Sequence, residues 1–168
     1  GEIAPELVSA LVLVDIAPRM DPVGVDCIIG FMTGNPDGFA ALEEAADAIA
    51  GYMPHRPRPK DLRGLQKNLR FGQDGRWRWH WDPAFVTGKQ RPGATRDPER
   101  LERAAATLRM PVLLVRGRMS DIVSEAGAQA FLAIVPQARF VDVSDAGHMV
   151  AGDKNDVFTD AVVGFLHA

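Results

Sequence analysis

Residues 111–152 read PVLLVRGRMSDIVSEAGAQAFLAIVPQARFVDVSDAGHMVAG, and the order of elements in this stretch narrows the possible folds more than any other part of the chain. An apolar run, Val112 to Val115, is entered from Pro111 and closed by Gly117, and a short polar loop holding Asp121 follows. A helical stretch then leads to a second β-type run, Phe140 to Val143, and to a loop carrying His148. In a parallel sheet every strand points the same way, so the loops that follow neighbouring strands gather at one edge. Asp121 and His148 are therefore expected to meet in space. A carboxylate that holds an imidazole in one tautomer is two-thirds of a catalytic triad.

A third apolar run, Ala10 to Val14, lies near the start of the sequence, after a segment Gly1 to Ser9 that reads as the tail of a helix or a linking loop. Continuous apolar runs are what parallel strands look like when helices cover both faces. Three such strands make a thin, poorly covered sheet. The expectation is a chain cut from something larger, with an exposed edge and an uncovered face on its first strand. Expressed alone, residues 1–168 are expected to be insoluble, molten or tightly held by a partner segment.

Composition closes several functional classes. A net charge of −3 on 168 residues lacks the basic excess that nucleic-acid backbones demand. The local basic cluster from Arg56 to Arg78 reads as a solvated helical face with its loops. No apolar run approaches the roughly 20 residues that cross a bilayer, and the beginning has neither a basic leader nor a cleavage site. No nucleic acid and no membrane are expected as partners. The lone Cys27 allows no internal disulfide, fits a reducing cytoplasm and reads as a buried packing residue. No spacing of His, Cys and Asp suggests a metal, and no cofactor is called for.

Between the first and second strands the pattern is helical. Val25 to Met32 is a short apolar helix or turn segment, and Asn35-Pro36-Asp37-Gly38 is turn chemistry. Asp37 is placed to cap a helix from Phe39 to Tyr52, where Leu42, Ala45, Ala46, Ile49 and Ala50 recur at helical spacing. Lys60 to Arg70 reads as another helix. Arg76 to Trp81 (RWRWHW) alternates basic residues or His with Trp, which predicts a short extended piece with three indoles on one side. Asp97-Pro98-Glu99 opens a helix with an N-cap and a proline at its first position, running to about Arg109.

These features resemble the C-terminal portion of an α/β-hydrolase-fold enzyme of the serine hydrolase or esterase kind, with a helical cap. LVLVDIAP (11–18) is similar to the sixth strand of that fold, and residues from about 19 to 108 to its inserted cap. PVLLVRGRMSDIV resembles the seventh strand with its acid loop. FVDVSDAGHMVAGDKNDVF resembles the eighth strand, the histidine loop and the last helix. Two short motifs, G-R-M-S-D and A-G-H-M, carry the resemblance, which covers essentially the whole chain. It implies an α/β fold in three parts: a core strand in 1–18, the cap in 19–108, and core strands and helices in 109–168. It further implies a helix from Ala126 to Val135 between the last two strands and a closing helix from Val157 to Leu166.

By the same resemblance Asp121 is the triad acid and His148 the base. Asp15, at the end of the first strand, is the alternative acid, because some members of this fold carry the acid there. Asp153 and Asp156 read as capping and favouring the last helix. Phe31, Met32, Trp77, Trp79 and Trp81 are candidate walls of a pocket for a small hydrophobic substrate, with packing of the cap as the competing reading; His80 is assigned no catalysis. The departure from the family is the nucleophile. No G-x-S-x-G elbow exists, and none of Ser9, Ser120, Ser124 and Ser144 follows a strand between glycines. The partner implied is the N-terminal segment of the same hydrolase, carrying the nucleophile and the oxyanion donors, without which this segment is expected to be inactive. The function expected is hydrolysis of an ester or related acyl bond. The alternatives are an epoxide hydrolase or dehalogenase type with an aspartate nucleophile, and a non-catalytic module that binds through the cap groove.

Overall fold

The computed structural model describes residues 5–87 and 97–168, and these fall into two units. The first comprises the described residues up to Val25 together with those from Asp97 onward; the second comprises those from Asp26 to Thr87. The second unit is narrower than the 19–108 expected for a cap, because the helix after Asp97 packs within the first unit. Residues 88–96 of that expected span, and 1–4 of the leading segment, lie outside the described residues.

The first unit is built on three parallel strands, β1 (Leu11–Val14), β4 (Val112–Gly117) and β5 (Arg139–Val143), in the order β1-β4-β5. Leu11 pairs with Val112 and Val14 with Val115 on one side of β4, and Leu113 to Gly117 pair with Arg139 to Val143 on the other. Every residue of β4 is buried, as a strand flanked on both edges and covered on both faces must be. β1 is only half-buried and, among the described residues, pairs with β4 alone.

Alternation along the strands separates two faces. On one, Leu113, Val115, Val143, Ala146, Val150 and Phe165 form a buried cluster against which Val12, Val14, Phe158 and Val162 pack. This face is covered by α7 (Asn155–Leu166), reached through the short α6 (Val150–Asp153). On the other face Leu11 and Leu13 line a cavity of about 260 Å³ with Ala105, Leu108 and Phe131. Those residues come from α4 (Pro98–Ala106), the turn after it, and α5 (Glu125–Ile134). Both helices start on side-chain caps: Asp97 accepts the N–H of Arg100 at 2.8 Å, and Ser124 that of Gly127 at 3.1 Å.

The remaining helices and strands are α1 (Pro22–Thr33), α2 (Leu42–Tyr52), β2 (Leu69–Phe71), β3 (Trp77–Trp79) and α3 (Ala84–Thr87). In the second unit β2 and β3 form an antiparallel hairpin, and Phe39, Ala45 and Leu69 make its buried core. Helix α2 begins three residues later than the periodicity suggests. Gly38 turns with φ +77°, and Phe39 bridges to Trp77, so the chain is still extended there. Asp37 does not cap this helix, whose N-cap residue Ala41 offers no side-chain bond; Glu44 reaches back to accept the N–H of Ala40 at 2.8 Å. The helix expected over Lys60 to Arg70 shrinks to a 3₁₀ segment, Arg63–Asn68, because the hairpin recruits Leu69 to Phe71. The basic cluster is matched locally: Arg58 pairs with Asp47, Arg63 with Asp61 and Arg78 with Asp74, each at 2.6 Å. Cys27 is exposed on α1, not buried; the buried residue of that stretch of the helix is Ile29, two positions on.

One buried charge shapes the end of β4. Arg116 sits in the middle of the sheet, 6% exposed, opposite Asp142 in the β4–β5 register. Its guanidinium donates to Asp142 Oδ1 at 3.0 Å and to the carbonyl of Val123 at 2.6 Å, so it ties the loop after β4 back to the sheet. Asp142→Ala leaves that guanidinium without its carboxylate. Breaking a fully buried pair costs about 3–5 kcal/mol, and Asp142, whose side chain is 24% exposed, is expected to cost less, about 2 kcal/mol, in urea unfolding.

Candidate active site

The parallel sheet delivers three loops to one edge, and each brings a polar side chain. Asp15 is the first residue after β1, Ser120 lies in the turn after β4, and His148 lies in the loop after β5. Asp15 takes φ +50°, a left-handed conformation that Asp tolerates better than bulkier residues. Its N–H continues the ladder to Val115 O at 2.7 Å, after which the chain turns. The carboxylate is completely buried.

His148 Nδ1 lies 2.9 Å from Asp15 Oδ2, with the imidazole about one-third exposed. A carboxylate can only accept, so Nδ1 carries the proton and Nε2 is left as the free base. Two further donors hold the carboxylate: the Gly117 N–H at 3.1 Å on Oδ1 and the Ser120 hydroxyl at 2.6 Å on Oδ2. The histidine loop is braced separately, since Gly147 N–H donates to Asp153 Oδ2 at 2.9 Å and Met119 N–H to Ala146 O at 2.8 Å. Asp153, expected to cap the last helix, thus braces this loop; the final helix has no side-chain N-cap.

The pairing expected between Asp121 and His148 does not form. Asp121 lies beyond the turn that starts at Gly117, where the Ser120 N–H returns to the Gly117 carbonyl, and its side chain is exposed. Its main-chain carbonyl is pressed against Gly24, where an added Cβ would lie 2.1 Å from that oxygen. The reach of the acid is decided by backbone direction. Asp15 leaves its strand over the end of β4, whereas three residues separate Asp121 from the end of β4.

Close approach dictates Gly117 as well. A Cβ there would lie 2.2 Å from the carbonyl oxygen of Gly147 and 2.6 Å from that of Ala146. The absence of a side chain lets the end of β4 and the histidine loop touch.

The aromatic candidates occupy the second unit. Trp79 and Trp81 stack at 4.8 Å between centroids, and Phe31 stacks on Tyr52 at 4.5 Å while leaning on both indoles. Met32, Trp79 and Trp81, with His80 and Arg70, line a cavity of about 400 Å³ inside this unit. Trp77 packs instead on Phe71 across the hairpin. Among the described residues no group of His, Cys, Asp and Glu is arranged to hold a metal ion, and no helix is long and apolar enough to cross a membrane.

No protein-family model matches the chain. It is similar to the esterase Rv0045c of Mycobacterium tuberculosis, 27% identical over 170 residues that cover 97% of this chain and 54% of the relative. A 3-hydroxybutyrate-oligomer hydrolase of Cupriavidus necator is 30% identical over 84% of this chain and 51% of its own length. Among solved structures, E-2-(acetamidomethylene)succinate hydrolase superposes with a TM-score of 0.79 at 24% identity, over 98% of this chain and 59% of that one. An α/β hydrolase from Novosphingobium aromaticivorans gives 0.73 at 25% identity, over 97% and 58%. The fold is that of the α/β-hydrolases, over a length that fits their C-terminal portion, and the chain spans about half the length of the curated relatives it matches.

Two glycines test the packing at the site against ordinary helix propensity. Gly117→Ala is expected to destabilise by about 1–3 kcal/mol through overpacking against the histidine loop. Gly164→Ala in α7, with nothing within 4 Å of the new methyl, is expected to stabilise by about 0.5–1 kcal/mol. Urea unfolding of the two variants side by side checks both signs.

Proposed function

We propose that this chain supplies the acid and base of an ester hydrolase, with His148 as general base and Asp15 as the acid that orients it. The observation that carries the reading is the bond between His148 Nδ1 and the buried Asp15 carboxylate, which leaves Nε2 free. Support also comes from the esterase and oligomer-hydrolase relatives. In this reading Nε2 takes the proton of a hydroxyl nucleophile as its oxygen bonds to the ester carbonyl carbon. The imidazolium then gives that proton to the departing alcohol oxygen as the ester C–O bond breaks, leaving an acyl-enzyme. A water, deprotonated in the same way, releases the acid. Asp15 stays ionised throughout and stabilises the imidazolium.

The nucleophile and the oxyanion donors belong, in this reading, to sequence outside these residues, since none of the chain's serines sits on a strand-to-helix elbow. Ser120 is occupied with Asp15 itself. In this reading the second unit corresponds to the cap that the resemblance implies; its own cavity is walled by Met32, Trp79 and Trp81 beside Arg70, Arg78 and His80, and the substrate is a small hydrophobic ester. The lone exposed cysteine suits a cytoplasmic setting.

A fluorophosphonate probe followed by intact mass spectrometry tests this in the protein assembled with its nucleophile segment. The expected result is one covalent label on a serine outside residues 1–168, lost in His148→Ala. Turnover of an acyl ester that survives His148→Ala would contradict the proposal. An unlabelled protein that opens an epoxide or displaces a halide, and does not cleave the ester, would replace the serine by an aspartate nucleophile.

A further inference from the structure

The Ser120 hydroxyl has a defined donor direction. Its oxygen accepts the N–H groups of Ile122 at 3.2 Å and Val123 at 3.1 Å, which occupy its lone pairs. Its own proton therefore points to Asp15 Oδ2, 2.6 Å away, the same oxygen that faces His148 Nδ1. Gly117 N–H takes the other oxygen.

Two points of attachment on different oxygens fix the plane of a carboxylate; one does not, because rotation about the last carboxylate torsion is soft. Gly117 holds Oδ1, and Ser120 gives Oδ2 an attachment that does not depend on the imidazole. Ser120 closes that freedom by donating to the same oxygen, Oδ2, that faces His148. It is itself held by the loop whose carbonyl at Val123 is gripped by Arg116. The chain of contacts runs from the buried guanidinium to the loop, to the hydroxyl, to the carboxylate and finally to the imidazole. Asp121, the neighbouring carboxylate, takes no part in it.

We propose that Ser120 is a positioning residue that holds the Asp15 carboxylate in register with His148. The proposal rests on the reading of Asp15 and His148 as the acid–base pair, but concerns a different residue and has its own readout. It specifies why a serine stands after β4 where the acid was expected one residue on: the acid comes from β1, and the β4 loop contributes its hydroxyl clamp.

The test uses the assembled protein, an acyl ester and three variants. Ser120→Ala is expected to lower kcat by about tenfold or more with KM changed less than about twofold, as loss of a hydrogen bond to a charged group implies. In the same variant the downfield proton resonance of His148 Nδ1–H is expected to move upfield or broaden. Ser120→Thr keeps the hydroxyl and is expected to restore both kcat, within about threefold, and the resonance. Ser120→Ala also strips the acceptor from two backbone N–H groups, so its stability will fall; the Thr variant and the resonance separate that from positioning. An unchanged resonance in Ser120→Ala overturns the proposal, whatever happens to stability. So does a Ser120→Thr protein that folds yet remains as slow as the alanine variant. The third variant, His148→Ala, keeps the two ideas apart: if it retains activity the acid–base reading fails, while the resonance still decides whether Ser120 holds Asp15.

Discussion

Three donors meet on the Asp15 carboxylate, and they come from three places that the sequence keeps far apart: the last residue of β4, the turn after it, and the loop after β5. A fully buried carboxylate without partners would be costly. Here three hydrogen-bonding groups reach it, and the strand ends on which they sit are locked by the sheet. The carboxylate is therefore both a product of the fold and a tie across it. It joins β1 to the β4 turn and the β5 loop at the edge where parallel strands end.

The central strand makes this arrangement possible. β4 is buried along its whole length, and its two neighbours pair with it in fixed register, so Asp15 and His148 arrive on either side of Gly117. The glycine allows the histidine loop to close over the strand end, since any side chain there would strike the carbonyl of Gly147. Arg116, one residue earlier, fixes the turn that carries Ser120. Residues 116, 117 and 120 thus do different work within one short segment: a guanidinium ties down the loop, a missing Cβ makes room, and a hydroxyl sets a carboxylate plane.

Much of this was legible in the sequence. Three apolar runs with polar residues just after them marked the parallel sheet, and each appears within a residue or two of its expected limits. The Asp97-Pro98 helix start is present as read. His148 was identifiable because it follows a strand and a glycine. Read from sequence, Asp121 ranks above Asp15, yet it is Asp15 that bonds His148, because the outcome depends on a positive φ at Asp15 and on how far the β4 turn carries Asp121 from its strand. Ser120 was invisible for a related reason: its role depends on a contact 105 positions away. The short hairpin Leu69 to Trp79 was half-hidden by the helical spacing of Leu62, Leu65 and Leu69, a pattern that pairing with the tryptophan strand overrides. Cys27 showed only that an apolar neighbourhood does not say which side of a helix faces inward.

Which carboxylate serves His148 is the point on which the rest turns, and comparing Asp15→Asn with Asp121→Asn decides it. Each replacement keeps the shape of the side chain and removes its charge, and ester turnover is measured at one pH in the assembled protein. The bond from His148 to Asp15 predicts that Asp15→Asn loses about three to four orders of magnitude in kcat through the wrong imidazole tautomer. Asp121→Asn, altering an exposed side chain, is predicted to stay within about twofold of the parent. The reverse pattern, with Asp121→Asn inactive and Asp15→Asn unaffected, would contradict the account.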